Sequence, residues 1–133
     1  MSVWTPNLPD VMSEFRQVFD RYERALVTND VPVLDELFYD SPNTVRYGFQ
    51  DEQYGMAAVK THRAAQPARG FPRELVRTAL CTWGRDLATA QVEFWRPDVQ
   101  RRGRQSQTWI RTPDGWRVVS AHVSWGETAP EKP

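Results

Sequence analysis

A single cysteine, Cys81, is all the thiol this chain possesses. No intrachain disulfide can form, and no thiolate cage for a metal can be assembled within one chain. Histidine occurs only at His62 and His122, so imidazole ligand sets are equally scarce and no metal is expected. Neither sign of charge dominates, because 17 Lys and Arg balance 17 Asp and Glu. No global field then draws the molecule to nucleic acid or an anionic membrane. The run Arg101-Arg102-Gly103-Arg104 reads as a solvated strand end. No apolar run has bilayer-spanning length, and the polar, proline-bearing start lacks the basic-then-apolar order of a secretory signal. A cytoplasmic protein is the expectation. Also missing are Gly-x-x-x-x-Gly-Lys-Ser/Thr, Gly-x-Gly-x-x-Gly, Gly-x-Ser-x-Gly and His-Glu-x-x-His. Their absence leaves no phosphate-cradling loop, dinucleotide fingerprint, serine elbow or zincin helix, and no cofactor is expected.

What is present is a core. Forty per cent of the 133 residues are apolar and six are tryptophan, which suits one packed domain rather than a disordered chain. The expected domain spans 1–133, with 1–9 as an arm and 126–133 as a loose tail. Its organising stretch is a final hairpin from Gly103 to Trp125, turned by Thr112-Pro113-Asp114-Gly115. Proline presets the first turn residue, and glycine accepts the positive φ that closes the turn. With facing residue numbers summing to about 228, Gln105, Gln107, Trp109, Arg111, Arg117, Val119, Ala121, Val123 and Trp125 share one side. Ser106, Thr108, Ile110, Val118, Ser120, His122 and Ser124 share the other. The first side is the more apolar in its middle and should face the core. Amides at Gln105 and Gln107 on such a face need partners, and a pocket floor is one reason to put them there.

Upstream, Asp10 is a candidate N-cap for a helix whose stripe is Val11, Phe15, Val18, Tyr22 and Ala25, ending near Thr28-Asn29. Asp30 and Pro32 open a second, shorter helix. Asn43–Phe49 reads as a strand, 51–54 as a connection, and Gly55–Gln66 as a third helix. Strands follow at Glu74–Trp83 and Leu87–Trp95, joined by Gly84-Arg85-Asp86. Early helices and a late antiparallel meander predict an α+β layer architecture, with a curved sheet around one long helix and a cavity at its open end.

Two residues could carry chemistry in such a cavity. Tyr22 lies on the apolar stripe, so its hydroxyl must reach water, a partner or a cavity. There it could donate to a developing negative charge or pass a proton. Arg46 is placed by strand alternation on the side away from the aromatic and aliphatic residues, which reads as surface. Gly48 on that same side leaves space in which a guanidinium could hold a carboxylate.

Thr44-Val45-Arg46-Tyr47-Gly48, Tyr54-Gly55, Glu93-Phe94, Gly103-Arg104-Gln105-Ser106-Gln107-Thr108-Trp109 and Ala121-His122-Val123-Ser124 together resemble the AtzH-like branch of the SnoaL-like superfamily. The resemblance runs from about Glu14 to Trp125. It implies a SnoaL-like α+β cone, with three N-terminal helices packed in a strongly curved, mainly antiparallel sheet. It also implies a homodimer acting in bacterial nitrogen catabolism beside an amidase. The implied reaction is metal-independent, a decarboxylating amidohydrolase step from 1,3-dicarboxyurea to allophanate in cyanuric acid breakdown. On that reading Tyr22 and Arg46 are catalytic, Arg46 anchors a substrate carboxylate, and Gln105, Gln107 and Trp109 line the pocket. The competing expectation is a non-catalytic ligand-binding or accessory protein partnering a neighbouring amidase, since folds of this kind also bind without chemistry.

Overall fold

A computed structural model describes residues 2–126. The tail expected to be loose lies, from 127 onward, outside the described residues. In chain order the elements are α1 (Pro9–Thr28), α2 (Val31–Leu37), β1 (Val45–Tyr47), β2 (Glu52–Tyr54), α3 (Met56–Ala64), β3 (Glu74–Trp83), β4 (Leu87–Arg96), β5 (Arg101–Thr112) and β6 (Gly115–Trp125). One six-stranded sheet runs in the order β2-β1-β6-β5-β4-β3. Every neighbouring pair is antiparallel except β1 and β6, which run parallel. Three helices on a mixed, mainly antiparallel sheet make the fold α+β, as the sequence implies.

Helix α1 begins two residues earlier than the Asp10 cap predicts. Leu8 is the N-cap and Pro9 takes the first helical position, where its missing N–H costs nothing. Asp10 instead sits in the first turn and pairs with Arg85 at 2.7 Å. Asn29 ends the helix in the left-handed conformation, and the Asp30 side chain caps α2 through Val33 N at 3.4 Å. The buried stripe of α1 is Val11, Phe15, Phe19, Tyr22 and Ala25, with Val18 only half-buried. It rests on the inner face of the long hairpin. Phe15 meets Trp109 edge-on at 5.5 Å and Trp116 at 5.2 Å, and Trp116 Nε1 donates to Glu14 Oε1 at 3.0 Å. Wide aromatic faces at this junction bury much of the apolar area that holds α1 to the sheet.

The hairpin obeys the predicted register from Gly103↔Trp125 to Thr108↔Ser120 and then slips. A bulge follows, so that Trp109 faces Val118 and Thr112 faces Gly115. The extra residue reverses alternation on β6. Trp116 and Val118 therefore turn into the core, while Arg117 and Val119 leave the inner face to which strict alternation assigns them. Residues 51–54 are also more than a connection, since β2 pairs with β1 through Arg46↔Gln53. Two backbone bonds fix this edge: Gly48 N donates to Asp51 O at 2.8 Å and Gly55 N to Thr44 O at 2.7 Å.

Candidate functional site

Between α1, α3 and the inner face of the sheet lies a cavity of about 380 Å³. Tyr22, Arg46 and Gln105 all line it, as do Asp51, His62, Arg63, Arg73 and Arg96. Gln107 and Trp109 do not. They sit beneath the wall, where Trp109 Nε1 donates to Gln107 Oε1 at 2.9 Å and both residues are buried. That bond satisfies the Gln107 carbonyl without a ligand, so the expected pocket floor stops at Gln105. Trp109 still reaches the site indirectly, packing edge-on against the Tyr22 ring at 5.7 Å.

Tyr22 is held by its ring, wedged between Trp109 and Phe38 and only 2% exposed. Its hydroxyl has one hydrogen-bond partner, Gln105 Nε2 at 3.5 Å. Burial is the chief cause that pushes the phenol's pKa up. The nearby positive charge of Arg73 opposes the shift in part, and the negative charge of Glu23 adds to it. At neutral pH the group is therefore a protonated donor. The Gln105 Oε1 atom is buried without a hydrogen-bond partner.

Arg46 reaches the interior because β1 lies beside β6 with Arg46 paired to inward-facing Ala121. Alternation then turns Tyr47 outward, towards His122 at 5.4 Å between ring centres. The apolar side of this short strand is its outer side, which reverses the surface reading of Arg46. Its Nη1 donates to Asp51 Oδ1 at 2.8 Å and to Gln53 Oε1 at 2.7 Å. Gly48 does leave space beside the guanidinium, but the Asp51 carboxylate fills it. A Cβ at Gly48 would collide with that carboxylate. Asp51 Oδ1 also accepts from Gln53 Nε2 at 2.8 Å and stands 3.6 Å from His62 Nε2. Burial alone would raise the Asp51 pKa; the Gln53 amide and the Arg46 guanidinium outweigh it and hold the carboxyl low.

Three further arginines complete the wall, each braced by a carboxylate and a ring. Arg63 pairs with Asp35 at 2.5 Å and lies 4.7 Å over Phe38. Arg73 pairs with Glu23 and lies 4.6 Å over Phe94. Arg96 pairs with Asp98 at 2.6 Å and lies 4.9 Å over Phe71. Of these carboxylates only Asp51 belongs to the lining, so four guanidiniums face inward against one carboxylate. A hollow of that kind favours small anions, because low-dielectric walls strengthen each contact. Arg63, Arg73, Arg96, Asp51 and His62 were not foreseen as site residues. Arg73 and Arg96 occupy a loop and a strand end that pattern alone reads as solvent-facing, and no short motif marks them. Among the described residues, no three His, Cys, Asp or Glu side chains gather as a metal site would require, and no helix is long and apolar enough to cross a membrane.

The profile of the AtzH-like family matches residues 5–129. A protein of unknown function from Pectobacterium atrosepticum is similar at 45% identity, with a TM-score of 0.88 over 92% of this chain and 95% of that one. A cystatin-like fold protein from Burkholderia xenovorans is 41% identical, with a TM-score of 0.87 over 92% of this chain and 96% of that one. A nuclear transport factor 2-like protein from Salmonella enterica shares the fold at 24% identity and a TM-score of 0.72, covering 93% of this chain and 97% of that one. Among curated proteins nothing matches.

Proposed function

The chain belongs to the AtzH-like family, and on that premise we propose that it is a metal-independent enzyme of cyanuric acid breakdown that removes one carboxyl group from 1,3-dicarboxyurea to leave allophanate. The single observation carrying this reading is that Tyr22 and Arg46 line one cavity whose charged lining is mostly cationic. Arg46 anchors a substrate carboxylate, and the other inward guanidiniums accommodate the second negative charge of a bis-carbamate. Tyr22, kept neutral by burial, donates its proton or a hydrogen bond to the nitrogen as the C–N bond to the carboxyl group breaks. Gln105 steadies the phenol, and its unpartnered oxygen suits a ligand N–H.

The test is direct. Purified protein is given freshly made 1,3-dicarboxyurea, and allophanate is followed against the uncatalysed background. Faster appearance of allophanate is expected. Binding of the dianion with no rate above background would replace the enzyme by a ligand carrier serving a neighbouring amidase. We further propose a homodimer joined through the outer sheet face, where Tyr47 and Tyr54 are exposed beside His122 and their hydroxyls lie 2.9 Å apart.

A further inference from the structure

The tyrosine–arginine reading leaves the cavity's imidazole without a task. His62 lies on α3 with its imidazole in the wall, and its Nε2 faces Asp51 Oδ1 at 3.6 Å. The same oxygen receives Arg46 Nη1, so imidazole and guanidinium flank a single carboxylate. Asp51 favours the tautomer with the proton on Nε2, which leaves the Nδ1 lone pair as acceptor. No hydrogen bond to Nδ1 is made within the described residues. The charged groups around the ring are Arg46 from β1, Asp51 from the β1–β2 turn and Arg63 on α3 itself. An unprotonated imidazole with a carboxylate behind it, beside a cation able to hold the scissile carboxylate, is the arrangement general-base catalysis by a histidine requires.

We propose that His62 is a catalytic base that activates water, with Asp51 as its positioning residue, so that carbon leaves the substrate as bicarbonate rather than as carbon dioxide. This rests on the decarboxylating reading above and decides a point that reading leaves open. In the step, His62 takes one proton from water while the oxygen bonds to the carboxylate carbon held by Arg46. The C–N bond then breaks, Tyr22 gives its proton to the departing nitrogen, and the remaining water proton stays on the bicarbonate. The imidazolium finally returns its proton to the phenolate. In sum, a carbamate R–NH–COO⁻ and water give R–NH₂ and HCO₃⁻, balanced in atoms and charge. Burial above all, with the charges of Arg46 and Arg63, lowers the His62 pKa below the usual imidazole range, while Asp51 pulls the other way. The base is therefore free at neutral pH, and its protonation on acidification should switch the reaction off.

The experiment uses the intact protein, 1,3-dicarboxyurea and membrane-inlet mass spectrometry without carbonic anhydrase. Wild-type protein should show dissolved carbon dioxide lagging behind allophanate, rising only as bicarbonate dehydrates. His62→Gln should lose on the order of 100-fold in kcat/KM and lose the acid limb of the pH profile. Asp51→Asn should keep that limb in shifted form. If carbon dioxide appears in step with allophanate in the wild type, His62 is not activating water, whatever the variants do. A His62→Gln protein with wild-type rate and pH profile would overturn the assignment equally. Absence of turnover above background by the wild type would remove the enzymatic reading itself, and the base with it.

Discussion

Replacing Tyr22 by Phe separates catalytic from structural roles because the structure assigns them very different sizes. The ring carries the packing: its edge-on contact with Trp109 at 5.7 Å and its approach to Phe38 at 6.4 Å survive the change. The hydroxyl contributes one hydrogen bond, from Gln105 Nε2, at 3.5 Å and so at the limit of useful geometry. A hydrogen bond of ordinary length contributes about 0.5–1.5 kcal/mol, and this one belongs at the low end. Stability should therefore fall by about 1 kcal/mol or less, moving Tm by no more than about 4 °C in a domain of this size. As acid or oxyanion stabiliser the same hydroxyl is worth about 10²- to 10⁴-fold in rate, or roughly 3–5 kcal/mol of barrier. Initial rates on 1,3-dicarboxyurea, with a thermal melt of the same preparation, compare the two. The expected result is a kcat reduced by at least about a hundredfold at nearly unchanged Tm. A kcat within about threefold of wild type would refute the assignment of the proton or hydrogen bond to Tyr22.

Other consequences follow from the same packing. The raised Tyr22 pKa stabilises the fold fully below the ordinary tyrosine range, at about pH 10, and that contribution is lost as pH rises from there through the folded-state value. Chemical denaturation from pH 9 upward should thus show a steeper alkaline loss in wild type than in Tyr22→Phe, and parallel curves would mean the phenol is not buried as described. Gly70 packs so close to the Val27 carbonyl that an added Cβ would collide with backbone, and Asn29 Nδ2 ties the same loop through Pro67 O at 2.9 Å. Gly70→Ala should cost about 1–3 kcal/mol and shift the cavity residues Phe71 and Arg73, an effect that an unchanged denaturation midpoint would contradict. Tyr54→Glu places a charge within the exposed outer aromatic group and should convert a dimer to monomer in sedimentation equilibrium, whereas a wild-type profile would move the contact elsewhere.

Much of the scaffold could be read directly from residue order, because it depends on local chemistry. Thr112-Pro113-Asp114-Gly115 closes the hairpin as its turn chemistry requires, with Gly115 at φ +116°, and β3 spans Glu74–Trp83 as predicted. The misses share one cause: they depend on neighbours distant in sequence. Nothing in Val45-Arg46-Tyr47 reveals that β1 lies parallel to β6, yet that pairing alone turns Arg46 inward and Tyr47 outward. The bulge between Thr108 and Trp109 has no glycine to announce it, and it decides whether Val118 or Val119 is core. The site divides along the same line. Tyr22 was legible because helical periodicity fixes its face, and Gln105 because it precedes the bulge. Asp51, His62, Arg63, Arg73 and Arg96 converge from four separate segments, each residue looking like ordinary surface within its own stretch. What makes them a site is that all but one of the balancing carboxylates stand behind the wall, leaving the cavity itself cationic. A charge distribution of that kind is a property of the assembled cone, and it gives a chain with no net charge a hollow whose lining is locally cationic.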